Sequence, residues 1–214
     1  LPARAAYLIA AQRWITGADL LIVAGSNQLL DQFGGALGFP LTLLRWSLQA
    51  RLAGAQVAYL SVGAGPLDAR WSRRLVGWAL AVADYVSVRD QHSAAIVAAI
   101  APKRAVLIEP DLAFGLAGPR SRRESRGASA PIVAVNVMPV FDPRYWPQSD
   151  PEAYRRLIER FTAIARGLIA AGYAVRFFAS QRYDVLAAQE VVASLGGPVT
   201  IDAPSTVAEL LQVL

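Results

Sequence analysis

Cysteine is absent from these 214 residues, and histidine and methionine occur once each. No disulfide framework and no thiolate zinc site is available, and a single imidazole cannot build a histidine-rich metal centre. Carboxylates clustered at ligand spacing are missing as well, so no metal is expected. Charge is sparse, 17% of residues against 55% hydrophobic. Long apolar runs are lacking too. The hydrophobic excess lies in interrupted alanine and leucine runs, none reaching the roughly 18–20 uninterrupted residues of a membrane helix. The chain opens Leu1-Pro2-Ala3-Arg4, without a methionine and without the basic, apolar and small-residue succession of a signal peptide. The expectation is a cytoplasmic chain, cut at its front.

What is present is arginine. The net charge of +5 rests mostly on this residue, and part of it is concentrated at Arg120, Arg122, Arg123 and Arg126. Dispersed arginines favour phosphate- or carboxylate-bearing ligands, or an anionic membrane surface. No basic stripe interleaved with aromatics occurs, so no nucleic-acid partner is expected.

Apolar runs of strand length alternate with longer helical stretches, the pattern of βαβ units around a parallel sheet. Strands are expected at 20–23, 56–62, 85–88, 105–108, 132–137, 174–179 and 199–201. Pro40 suits the first turn of one helix, 71–83 reads as a second, 91–100 as a third, and 152–171 as the longest, closed by Gly172. Residues 118–131, rich in arginine, serine, glycine and alanine, have no apolar period and read as a linker. The expected organisation is therefore an N-terminal Rossmann-like domain over 1–117, the linker, and from 132 to 214 the start of a second α/β domain. That second domain ends in a helix starting near Ser205 and is expected to be incomplete.

In an open parallel sheet, ligands lie beyond the carboxyl ends of the strands. This converts four loops into one candidate site: 24–35, 61–66, Arg89-Asp90, and Glu109-Pro110-Asp111. In Ser61-Val62-Gly63-Ala64-Gly65-Pro66 the two glycines permit close backbone approach, with nearby amides as anion donors. The spacing is neither a Walker loop nor a complete dinucleotide fingerprint, and a tight strand-to-helix turn accounts for it equally well. Asp31 can accept a proton from a substrate hydroxyl, although the residues alone favour a cap or loop hydrogen bond. Arg89 stands at a strand end, with Asp90 as the expected N-cap of helix 91–100; a guanidinium there suits a phosphate or carboxylate. The structural alternative is a salt bridge to Asp111 or Asp84. His92 is expected to face solvent and takes no role. The tryptophans and Phe177-Phe178 read as packing, and Tyr145-Trp146 as packing in preference to a sugar-stacking platform.

The succession "LIVAGSNQLLDQFGG", "YLSVGAGPL", "ADYVSVRDQHS", "EPDLAF", "VAVNVMP" and "GYAVRFFASQRYD" resembles the polysaccharide pyruvyl transferase family over nearly the whole chain. The resemblance implies two Rossmann-like domains in an arrangement similar to GT-B glycosyltransferases. It also implies transfer of a pyruvyl group from phosphoenolpyruvate, as donor substrate and without a cofactor, to a sugar of a bacterial surface polysaccharide. Arg89 and Asp31 are the implied catalytic candidates. Asn27, Gly34, Gly35, Gly63, Gly65, Asp90, Asp111, Arg182 and Asp184 are the implied substrate-binding candidates, the last two reaching the site from the second domain. A lipid-linked acceptor and peripheral contact with the inner face of the cell membrane accompany that reading. The family's early glycine-rich Asn-x-Gly-Asp motif and its late Arg-x-His motif fall outside these residues, so the 214 residues alone are expected to be inactive. Two alternatives are a nucleotide-sugar glycosyltransferase of GT-B type and a non-catalytic sugar- or anion-binding protein of the same fold.

Overall fold

The computed structural model describes residues 12–115, 130–197 and 199–213. The arginine cluster at 120–126 and nearly all of the linker expected at 118–131 lie outside the described residues. The chain divides into two units, Leu1–Leu116 and Ala117–Leu214.

In the first unit, β1 (Leu20–Ala24), β3 (Gln56–Ala64), β4 (Tyr85–Val88) and β5 (Leu107–Ile108) form a parallel sheet in that spatial order, and β2 (Asn27–Leu29) pairs with the end of β3. Helices α1 (Phe39–Leu52), α2 (Arg70–Ala81) and α3 (Gln91–Ile100) are the crossovers. The nine-residue β3 is central. Val57, Tyr59 and Val62 are completely buried, as expected for a parallel strand covered on both faces. Against this strand pack Leu43, Leu44, Val76, Leu80 and Val97 from the helices. Tyr59 also carries a polar link, its hydroxyl sharing a 2.8 Å hydrogen bond with Ser47 Oγ of α1.

The second unit has a three-stranded parallel sheet, β6 (Ile132–Asn136), β7 (Ala174–Phe178) and β8 (Thr200–Asp202) in that order. Its helices are α4 (Pro151–Ala170), α5 (Arg182–Leu195) and α6 (Val207–Val213). Asp150 caps α4 by accepting from the Ala153 amide at 3.0 Å, Pro151 occupies the first turn, and Gly172 at φ +85° lets the chain reverse into β7. Phe177, Val137, Ala187, Ala188 and Val191 form the buried centre.

Several bounds move by one or two residues from the sequence expectation, the central strand for example running to Ala64 where 62 was expected, and two of the differences bear on the site. The strand expected at 105–108 pairs only over Leu107–Ile108, against Ser87 and Val88. The segment 27–29, expected to be loop, is strand β2, paired in an irregular register with Gly63 and Ala64. Three residues are too few for an alternation signal, and their pairing partner lies more than thirty positions away.

Candidate active site

Because the strands of the first unit run parallel, the segments after β1, β3, β4 and β5 emerge at one edge of the sheet. The end of β3 is not regular. Its register against β4 shifts between Tyr59 and Val62, and within that shift Ser61 adopts φ +49°. A non-glycine residue in this conformation costs on the order of 1–3 kcal/mol and is held by its surroundings. Here the Ser61 amide donates to the buried Ser87 Oγ at 2.9 Å. Three positions on, the Ala64 amide donates to Ser93 Oγ in the first turn of α3, also at 2.9 Å. Two buried serines thus lock β3 to β4 and α3.

Gly63 lies where the cluster converges. A Cβ there would stand 2.7 Å from Asn27 Oδ1 and 2.8 Å from Arg89 Nε, and a Cβ on Gly65 would stand 3.3 Å from Asn27 Nδ2. The missing side chains are what allow the Asn27 carboxamide and the Arg89 guanidinium to lie against β3. The amides of these glycines have a different part from the one expected. Gly63 N donates to Ser26 O at 2.9 Å and Gly65 N to Leu29 O at 3.0 Å. They complete the ladder with β2 and are not anion donors, which corrects the sequence expectation; the glycines serve by close approach alone.

Arg89 is held loosely. Its Nε lies 3.5 Å from Asp90 Oδ2 and its Nη1 lies 3.4 Å from Asp111 Oδ2. Charge-assisted bonds close at about 2.7–2.9 Å, so these contacts orient the guanidinium without saturating its five donors. A third of the side chain is exposed. The carboxylates are anchored from the other side. Asp90 Oδ1 accepts from the Ser93 amide at 2.7 Å as the N-cap of α3, and Asp111 Oδ1 accepts from the Ala113 amide at 3.0 Å. The Ser93 amide and hydroxyl, with help from Arg89, hold the Asp90 carboxyl below the usual carboxylate range. Beside this cluster in sequence, Tyr85 donates its hydroxyl to Glu109 at 2.7 Å. The hydroxyls of Ser87 and Tyr85 keep the Glu109 carboxyl low, and the bond to Glu109 raises the Tyr85 pKa.

The remaining expected residues are distributed as follows. Asp31 Oδ2 accepts from the Ala69 amide at 3.0 Å and the Asp31 amide donates to Pro66 O, so the loops after β2 and β3 are tied together. Gly34 and Gly35 shape the turn into the 3-10 segment Gly35–Leu37, with φ of +82° and +59°. Of the two alternatives for Arg89, the partner is Asp111, whereas Asp84 is bound bidentately by Arg51 at 2.9 and 3.0 Å. His92 is exposed, as expected.

In the second unit Arg182 is exposed at the first position of α5. Asp184 is buried, and its carboxylate accepts from Ser180 Oγ and N, Gln181 Nε2 and Asn136 Nδ2 at 2.8–3.2 Å. It organises the turn after β7. Tyr145 stacks on Tyr183 with ring centroids 4.6 Å apart and meets Trp146 edge-on. A cluster that sequence reasoning missed follows β6. Asp142, fully buried, receives Arg144 Nε and Nη2 at 2.9 and 2.7 Å, and the same guanidinium reaches Tyr154 Oη at 2.9 Å and Glu190 Oε1 at 2.7 Å. The available signal was "FDPRY", an acid and an arginine two positions apart in the loop after a strand. Among the described residues, no three His, Asp or Glu side chains converge as a metal site requires.

The first unit thus gathers an arginine and a carboxamide against Gly63 at the end of a parallel strand. The chain matches the family described as polysaccharide pyruvyl transferase over residues 2–212, and it belongs to that family. No curated protein matches it, nor does any solved structure. Among the described residues no helix is long and apolar enough to cross a membrane.

Proposed function

We propose that the protein transfers the pyruvyl group of phosphoenolpyruvate to two hydroxyls of a saccharide in a bacterial cell-surface polysaccharide, forming a cyclic ketal. The donor methylene gains a proton and becomes methyl, and the electrophilic C2 then accepts one sugar oxygen. Its bond to the phosphate oxygen breaks, and a second sugar oxygen closes the ring. Of the two hydroxyl protons, one balances the new methyl group and the other leaves with inorganic phosphate. No oxidant and no cofactor is consumed.

One observation carries the reading: Asn27 and Arg89 converge on Gly63 at the strand end, with Arg89 oriented by two carboxylates at 3.4–3.5 Å and still one-third exposed. A phosphate or carboxylate of the donor would take the fork of Arg89 at shorter distance than Asp111 does. Donors pre-aimed at developing charge are the largest single source of catalysis in such reactions. Asp31, tied to the Ala69 amide through one oxygen, offers the other to an acceptor hydroxyl. The same reading takes the acceptor as lipid-linked at the inner face of the cell membrane.

The test is the full-length gene product with phosphoenolpyruvate and a panel of lipid-linked and aryl sugars, following phosphate release and product mass. Sugar-dependent phosphate release with a ketal-sized mass gain, lost in Arg89→Ala, is expected. Turnover unchanged in Arg89→Ala would remove Arg89 from the site. Absence of turnover with retained binding of a sugar nucleotide would transfer the protein to the glycosyltransferases.

A further inference from the structure

A second feature of the first unit has no part in this chemistry. Between α2 and α3 runs a groove of about 640 Å³ whose lining includes Arg73, Arg74, Trp78, Lys103 and Arg104, and no acidic residue. Its floor is close-packed: a Cβ on Gly77 would stand 3.1 Å from Ile100 O. The four cations form no ion pair among the described residues; Arg74 instead lies over the Trp71 ring at 5.2 Å. Arg104 Nε is buried with no hydrogen-bond partner among the described residues. A buried donor of a charged group left unmet is costly, and its natural complement is an anionic oxygen.

The neighbouring surface specifies what carries that oxygen. Trp71 and Trp78, seven positions apart on α2 and so on one helix face, are 59% and 52% exposed. Arg70, Arg73 and Arg74 project to solvent from the same helix. Indoles beside unpaired arginines are the composition of a surface that meets the headgroup region of a bilayer, where the ring enters the interface and the cations meet lipid phosphate. A soluble anion would satisfy the charges and leave two large indoles in water. A smaller groove of about 440 Å³ shares Arg73, Ala99 and Ile100 with the first and extends to Gly65 and Pro66, in the loop beyond Gly63.

We propose that the α2–α3 face docks the protein on an anionic phospholipid bilayer, with lipid phosphates in the groove formed by Arg73, Arg74, Lys103 and Arg104 and with Trp71 and Trp78 in the headgroup layer. This rests on the groove and the indoles and stands whether or not pyruvyl transfer is the reaction.

The experiment is flotation of the protein with vesicles of phosphatidylcholine alone and of phosphatidylcholine with phosphatidylglycerol, at low and raised salt, with tryptophan emission recorded. Flotation is expected only with phosphatidylglycerol, accompanied by a blue shift and weakened by salt. The triple variant Arg73→Ala, Arg74→Ala, Lys103→Ala is expected to lose affinity by on the order of a hundredfold, from about tenfold or less per cation. Trp78→Ala is expected to reduce both affinity and the blue shift, with far-UV circular dichroism unchanged in each variant. Equal binding to neutral vesicles, no binding to either, or wild-type binding by both variants would overturn the proposal. So would flotation that millimolar inorganic phosphate abolishes where the same ionic strength of chloride does not, which would mark a small-anion site. Release by duplex DNA with no blue shift would point to nucleic acid and overturn it equally.

Discussion

Arg89 Nε would lie 2.8 Å from a Cβ placed on Gly63, a separation no real pair of these atoms tolerates. The guanidinium therefore occupies the space that any other residue at position 63 would claim, and Asn27 flanks it on the same side.

Gly63→Ala is accordingly expected to push Arg89 and Asn27 outward while leaving the sheet intact. Misplacement by about 1 Å costs on the order of a hundredfold in rate. Phosphate release from phosphoenolpyruvate with a sugar acceptor should fall by about that factor, while the thermal melt shifts by only a few degrees. A variant as active as the parent would show that the approach is packing alone.

Asp90 has two separable duties, capping α3 and orienting Arg89. Asp90→Asn retains an acceptor for the Ser93 amide, and Asp90→Ala does not, so chemical denaturation should show a loss of about 1 kcal/mol for the alanine variant and little for asparagine. Both variants lose the charge beside Arg89, and both should raise the KM for the donor or lower kcat; equal stability of the two would contradict the capping role.

The second unit depends on Asp142. Burial disfavours its charge, but the Arg144 side-chain and backbone hydrogen bonds outweigh that, so its carboxyl titrates below the usual carboxylate range. A depressed pKa contributes stability above the unfolded value of about 3.9 and loses it as pH falls through the folded value. The melt should be insensitive to pH from 7 to about 5 on this account and fall below about 4. Asp142→Ala, which strands Arg144 beside Tyr154 and Glu190, is expected to cost about 2 kcal/mol. That is below the ~3–5 of a fully buried pair because Arg144 remains in contact with water.

Tyr59 supplies the alkaline counterpart. Burial pushes its hydroxyl up to about 12, opposed in part by the bond to Ser47. The folded state holds this proton more tightly than the unfolded state does, so the contribution is complete below about pH 10 and disappears as pH rises toward 12. Absorbance at tyrosinate wavelengths should show a late phase to which Tyr59 and Tyr154, both pushed up by burial, contribute. Tyr59→Phe should diminish that late phase and cost about 1–2 kcal/mol by leaving Ser47 Oγ unmet.

Much of the frame was legible from local chemistry. The apolar runs at 56–62, 85–88 and 132–137 stand as strands, Asp90 and Gly172 act at helix ends as their residue types predict, and Arg89 meets Asp111. Strand β2, the engaged amides of Gly63 and Gly65, and the Asp142–Arg144–Glu190 cluster were not legible. Each depends on a partner whose sequence separation carries no periodic signal, as with Arg144 and Glu190, forty-six positions apart.

By itself the sequence determined the α/β class, the parallel order of strand and helix, and which loops gather at the carboxyl edge, because hydrophobic period and cap chemistry act over a few residues. Tertiary structure alone decided which donors remain for a ligand. The irregular register at Ser61, held by Ser87, sets where Gly63 falls; β2 consumes its amide, and Arg89 is left as the group that faces outward. The pairing of distant strands is the physical event that makes that choice.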